Sequence, residues 1–394
     1  MTGRQDERAA HQDGQWRTAV GDTWSRGPSG PYSVGQPVPP HQQPGNPSLS
    51  GPNRPDTGDS HSGGHHEPRA QTGEQPPQPP QPPSAHDLSS AQLLRQDKRP
   101  PQSGWRRALF VASGRTVNIG EGPADVQRRE LIARINQPLH GCYKIAMLSL
   151  KGGVGKTTIT TTLGSTFASL RGDRVIAVDA NPDRGTLSQK IPLETTATVR
   201  HLLRDAQRIR RYSDIRAYTS QGPSRLEILA SEQDPAVSEA FSEEDYRRTV
   251  TLLEHFYNIL LTDCGTGLMH SAMKGVLDTA GSLVIVSSGS IDGARSASAT
   301  LDWLDAHGYR ELVSRSVAVI NSVRPMSGKV DLDRVAMHFA ARCRSVCRMP
   351  FDEHLEEGGE IDLDQLGQRA RLAALELAAT VADDFPNAVT RSHS

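Results

Sequence analysis

The sequence predicts an α/β protein built on a doubly wound, mostly parallel sheet and preceded by a Pro-rich tail. Three observations carry that expectation. From about residue 143 onward, apolar runs of strand length alternate with segments of helical apolar spacing. A glycine-rich loop joins the first such run to the first such helix. Two later runs end in a carboxylate, at Asp179 and Asp263, where ligands gather beyond the carboxyl ends of parallel strands.

The loop reads Leu148-Ser149-Leu150-Lys151-Gly152-Gly153-Val154-Gly155-Lys156-Thr157-Thr158. Three glycines in four positions let the backbone curl so that successive N–H groups converge on an anion at a helix N-terminus. In such a phosphate-binding loop, Lys156 reaches the β and γ phosphates and the Thr157 hydroxyl ligates Mg²⁺. Tyr143 to Leu150 supplies the strand before it and Ile159 to Leu170 the helix after it, which is the context a P-loop requires. The expected cofactors are therefore ATP and Mg²⁺.

The chain has 394 residues, room for one large α/β domain and something more. Of its 27 prolines, 17 fall in the first hundred residues, with runs such as Gln75-Pro76-Pro77-Gln78-Pro79-Pro80. Apolar residues are too sparse there to bury a core, so 1–103 is expected to be a disordered tail of polyproline II character. It serves as a linker or as a docking tail for a protein partner that reads proline. The histidines at 61, 65 and 66 make an irregular tract that solvated sequence explains as well as metal does.

Residues 104–141 read as a basic arm or capping segment, and 142–394 as the nucleotide-binding domain. Gly104 to Val111 is basic and partly apolar, and Asp125 to Ile135 has helical spacing. The segment is expected to pack on the edge of the domain; the alternative is a membrane or partner contact through Trp105, Leu109 and Phe110. Met1 to Ala10 is polar and no apolar run approaches the length of a membrane span, so a cytoplasmic protein is expected, with membrane reached only indirectly. Four cysteines fit that setting. Cys142 and Cys264 fall in or beside core strands, Cys343 and Cys347 stand one helical turn apart, and all four are expected to be buried thiols. A net charge of −1 neither favours nor disfavours nucleic acid.

Beyond the P-loop helix, Arg174 to Asp179 is a buried strand ending in a carboxylate, and residues 180–185 form a polar loop in the position of switch I. Thr198 to Arg211 is expected to be a basic helix, Leu226 to Ala230 a strand, and Phe241 to Phe256 a helix with acidic residues in its first turn. Tyr257 to Asp263 followed by Cys264-Gly265-Thr266-Gly267 has the Walker B pattern, in which the carboxylate holds the Mg²⁺ shell. Strands at 282–287 and 316–322 flank a helix at 293–307. A short strand at 346–349 and a helix at 363–385 complete the chain.

Lys151-Gly152-Gly153-Val154-Gly155-Lys156-Thr157-Thr158 resembles the deviant P-loop of the ParA/MinD ATPases, with Leu150 where the general motif has glycine. The resemblance implies that Lys151 reaches across a homodimer interface to the partner's nucleotide. It also implies a water-orienting acidic residue two positions after Asp179. This sequence has Asn181 there, which holds water but accepts no proton, leaving Asp183 as a substitute or an ordinary turn aspartate. Asn321 resembles the family's adenine-reading asparagine, Arg324 its accompanying arginine, and Pro350-Phe351-Asp352 the segment that closes over the base. The combination of a Pro-rich tail with this domain resembles actinobacterial MinD-like ATPases, including those associated with type VII (ESX) secretion, as do Gly104-Trp105-Arg106 and Arg128 to Arg134.

Three functions stay open at this point. One is an ATP-dependent dimerising switch that positions or regulates a large complex. Another is a DNA-partitioning ATPase of ParA type, using basic residues such as Arg342, Arg344 and Arg348. The third is a nucleotide-binding scaffold without turnover, for which Asn181 speaks.

Overall fold

The computed structural model describes residues 100, 104–181, 185–232, 241–268, 270–325 and 330–387, with the side chains of 104–106 excepted. The Pro-rich tail with its histidines, the Trp105 side chain and Asp183 lie outside the described residues. In chain order the elements begin with helices α1 (Gly104–Ala112) and α2 (Pro123–Ile135), then β1 (Tyr143–Leu148), α3 (Lys156–Leu170) and β2 (Val175–Ala180). A 3-10 turn at Leu187–Lys190 precedes α4 (Val199–Asp205), α5 (Tyr212–Ile215), β3 (Ser220–Gln221) and β4 (Glu227–Leu229). There follow α6 (Glu243–Leu253), β5 (Ile259–Cys264), α7 (Ser271–Thr279), β6 (Ser282–Ser288), α8 (Ile291–Ala306) and α9 (Arg310–Arg315). The chain closes with β7 (Val317–Asn321), α10 (Leu332–Ala340), β8 (Ser345–Met349), α11 (Glu353–Glu356) and α12 (Gln368–Ala382).

The strands form one eight-stranded sheet in the order β3-β4-β2-β5-β1-β6-β7-β8. Every pair is parallel except β3 with β4 at one edge. Side chains alternate across a strand, so each central strand feeds two cores. Ile145 and Met147 of β1 join Val284 and Val286 of β6 under α3 and α12. Ala146 and Leu148 join Leu283 and Ile285 on the other face, under α6, α7 and α8. Strands covered on both faces read as unbroken apolar runs, which is why they were legible.

Helix α3 is buried nearly all round, although it carries six threonines. Thr160, Thr161 and Thr166 each donate to the carbonyl four residues back, so the hydroxyls enter the interior satisfied. Gly164 lets the helix approach Leu226, the residue before β4: a Cβ there would stand 2.9 Å from Leu226 Cδ1. Helix α2 is held against α12 by the buried Leu131 and Ile135 and by a bidentate pair between Arg134 and Asp383 at 3.1 and 2.6 Å. In α1, Leu109 and Val111 remain exposed.

Some expectations change. The basic segment 198–211 is not one helix: α4 stops at Asp205, because Asp214 accepts the N–H groups of Arg210 and Arg211 and starts a new turn. The last helix starts at Gln368, five residues later than expected, because Asp362 accepts the Asp364 N–H and Asp352 the Gly367 N–H, fixing turns there. Cys343 and Cys347 do not share a helix. Cys347 sits in β8 opposite Val319 and Cys343 in the turn before it. Cys264 and Cys343 are buried, whereas Cys142 and Cys347 are partly exposed.

Candidate functional site

Five parallel strands end on the same edge of the sheet, and their last residues make the site. β1 runs into the glycine loop, β2 ends beside Asp179, β5 beside Asp263, β6 at Ser288 and β7 at Asn321. Within the loop Gly153 (φ 74°) and Gly155 (φ 84°) adopt the left-handed conformation that a side chain disfavours. Gly155 is also a close approach, since a Cβ there would lie 2.3 Å from Asn321 Nδ2. At Gly152 and Gly153 a Cβ would meet nothing within 4 Å, so the loop opens onto the cleft.

Asp263 organises the end of the site next to the glycine loop. Its Oδ1 accepts from Lys156 Nζ at 2.8 Å and its Oδ2 from the Thr157 hydroxyl at 2.6 Å; the Thr160 hydroxyl lies 3.3 Å from Oδ1. Lys156 and Asp263 are both buried. A buried ion pair contributes little stability once desolvation is counted, so its retention at a strand end points to use rather than to folding. Thr158 is half-buried in the first turn of α3.

Asp179 is buried one strand over. Its Oδ1 accepts the Asn181 N–H and its Oδ2 the Leu187 N–H, each at 3.1 Å, so one carboxylate holds both the residue after β2 and the start of the following 3-10 turn. Gly185 lies so close that a Cβ would come within 2.1 Å of Asp179 Oδ2 and 2.0 Å of Ser231 Oγ. Burial first, and the Asp263 carboxylate next, push the Asp179 carboxyl up to about 7.

A cleft of about 620 Å³ continues from the loop toward β6 and β7. Lys151, Gly152, Gly153 and Val154 line it on one side and Arg324 on the other. Lys151 Nζ meets Asp292 Oδ2 at 3.2 Å, and both side chains are well exposed. Asn321 is buried and its Nδ2 donates to the Val154 carbonyl at 2.9 Å. Pro350 follows β8 and does not line the cleft; Glu356, in α11 just beyond it, does.

The donor set suits a nucleoside triphosphate with a hard divalent cation. Buried cationic nitrogen, left-handed glycines and a hydroxyl–carboxylate pair are the groups that phosphate and Mg²⁺ require. Residues 145–360 match the family described as the CobQ/CobB/MinD/ParA nucleotide binding domain. This chain belongs to that family.

Within it, the chain is 38% identical over 292 residues to the ESX-1 secretion-associated protein EspI of Mycobacterium tuberculosis, covering 74% of this chain and 43% of that one. The chain thus spans under half the length of that relative. A putative septum site-determining protein MinD of Guillardia theta is 26% identical over 189 residues, 48% of this chain and 66% of its own. The ParA family ATPase of Chlorobium tepidum TLS shares the fold, with a TM-score of 0.52 at 18% identity over 60% of this chain and 98% of its own.

Sequence reasoning missed several residues of this CobQ/CobB/MinD/ParA site. Thr160 and Gly185 contribute through contacts across the sheet, and Ser288 and Ser290 through the carboxyl end of β6. The serines had a signal, a polar Ser-Ser-Gly-Ser run at a strand end. Glu356 had none.

Proposed function

We propose that this chain binds ATP and Mg²⁺ in the cleft and acts as a slowly hydrolysing, ATP-dependent dimerising switch serving a type VII secretion assembly. The observation that carries the nucleotide reading is the gathering of Lys156 and Thr157 on Asp263. In this arrangement the lysine is already stored at the phosphate end, neutralised by a carboxylate it exchanges for the β and γ phosphates. Thr157 and Asp263 are then the residues that would hold Mg²⁺, which supplies charge neutralisation at the transferring phosphoryl group.

Main-chain N–H groups of Gly152 to Gly155 face the phosphates, and Arg324 and Asn321 stand toward the base. Among the described residues the Lys151 side chain is restrained only by an exposed pair, worth at most about 1 kcal/mol. It is free to leave Asp292 for the triphosphate of a second copy, which is the step that would make ATP a dimerising ligand. Asn181 orients water without accepting its proton, which supports slow turnover.

The similarity to EspI supports the secretion context, with the Pro-rich tail as the segment that meets an unidentified protein partner. We place the work on the cytoplasmic side. Among the described residues no helix is long and apolar enough to cross a membrane. A scaffold that binds nucleotide without hydrolysing it is the second reading, and Asn181 favours it.

The DNA-partitioning reading loses support at its own residues. Arg342 pairs with Asp302 and Asp305, Arg348 with Asp333, and Arg344 donates to the carbonyls of Arg315 and Thr380. Sedimentation of the full chain with ATP and Mg²⁺, with ADP and with no nucleotide tests the proposal. A dimer only with ATP is expected, and a monomer under all three conditions would overturn it.

A further inference from the structure

Lys190 is a buried cation that the proposed chemistry does not use. It ends the 3-10 turn Leu187–Lys190, three residues after the Leu187 N–H that Asp179 holds. The residue is 7% exposed, and among the described residues no carboxylate lies within ion-pair distance of it. Burial pushes its pKa down, and the Asp263 carboxylate pulls it back up. An ammonium is costly to bury without a counter-ion, so its retention calls for a task.

Its partner lies in the segment that follows α11. Lys190 Nζ donates to the Gly358 carbonyl, and the Lys190 carbonyl accepts the Ile361 N–H at 2.9 Å. Gly358 has φ 73°, a conformation that favours glycine and presents its carbonyl to the lysine. The segment so held follows α11, whose Glu356 lines the cleft. One residue therefore joins the 3-10 turn whose first N–H Asp179 holds to the segment that follows Glu356.

We propose that Lys190 is a positioning residue that latches the 357–361 segment to the 187–190 turn held by Asp179, so that the cleft wall at Glu356 loosens when that turn loosens. The inference rests on the nucleotide reading above and deepens it by adding a route for product release. A charge-assisted hydrogen bond is about twice as strong as a neutral one, which is what a lysine provides here and an apolar residue of equal length does not.

The test compares the full chain with Lys190→Met, which keeps the buried stem, with Lys190→Arg, which keeps a cationic donor, and with Gly358→Ala, which strains the acceptor. Two readouts are taken. Amide hydrogen exchange of 357–361 in nucleotide-free protein should rise in Lys190→Met and Gly358→Ala and stay close to the parent in Lys190→Arg. Release of a fluorescent ADP, followed by stopped flow, should speed up roughly tenfold in the first two and recover in Lys190→Arg. A parent that binds ADP while Lys190→Met releases it at the parental rate overturns the latch and leaves the nucleotide reading standing. A parent that binds neither ATP nor ADP overturns both, and unchanged exchange at 357–361 removes the contact on which the latch depends.

Discussion

The side-chain amide of Asn321, at the end of β7, donates to the main-chain carbonyl of Val154 inside the P-loop, 167 residues earlier in the chain, at 2.9 Å. The same amide stands where only a glycine at 155 leaves room. Asn321 thus shapes the glycine loop directly, besides the base-reading role proposed for it. Asn321→Ala is expected to weaken ATP and GTP alike, by roughly five- to tenfold, because one buried hydrogen bond is worth about 1 kcal/mol and its loss orphans a carbonyl. Parallel titrations with both nucleotides decide. A loss confined to ATP would assign Asn321 to base reading alone.

Lys156→Ala should abolish nucleotide retention, since the loop's N–H groups alone do not balance a triphosphate. Titration with fluorescent ATP reads this directly. Unchanged affinity would end the P-loop assignment.

Lys151→Ala separates binding from assembly. It should keep ATP affinity within a few-fold and lose the ATP-dependent dimer, because Lys151 lies at the rim of the cleft and is exposed, whereas Lys156 is buried. Sedimentation velocity at saturating ATP is the measurement. A variant that dimerises like the parent removes Lys151 from the interface.

Asn181→Asp places a proton acceptor where switch I leaves Asp179. Positioned general bases contribute about 10² to 10⁴-fold, so steady-state hydrolysis should rise and the lifetime of the dimer should fall together. A parent that already turns over at about 1 to 100 per second, or a variant no faster than it, would end the slow-switch reading.

Stability of the nucleotide-free protein should depend on pH through Asp179. Burial and the neighbouring Asp263 carboxylate raise its folded carboxyl to about 7, while an unfolded aspartate titrates near 3.9. Between those values the folded state holds a proton that the unfolded state has released. The Asp179 contribution therefore favours folding most below the lower value and diminishes as pH rises through the window to about 7. Thermal melts at pH 5.5 and 7.5 should show a smaller difference in Asp179→Asn than in the parent. An identical difference in both would mean that Asp179 stays ionised throughout.

The covered strands, the glycine loop and the two strand-end aspartates were determined by the sequence itself. Doubly buried strands must be continuously apolar, and a loop that binds phosphate must place glycines at fixed offsets, so both write local signatures. Tertiary structure decided what those residues touch. No local pattern announces that Asp263 collects Lys156, Thr157 and Thr160, that Asp179 ties Asn181 to Leu187, or that Lys190 meets Gly358. These contacts join segments up to 168 residues apart, brought together because parallel strands all end on one edge of the sheet. The ends of α4 and α12 were decided the same way, by carboxylates that capture backbone N–H groups and turn the chain where helical periodicity alone would have carried it on.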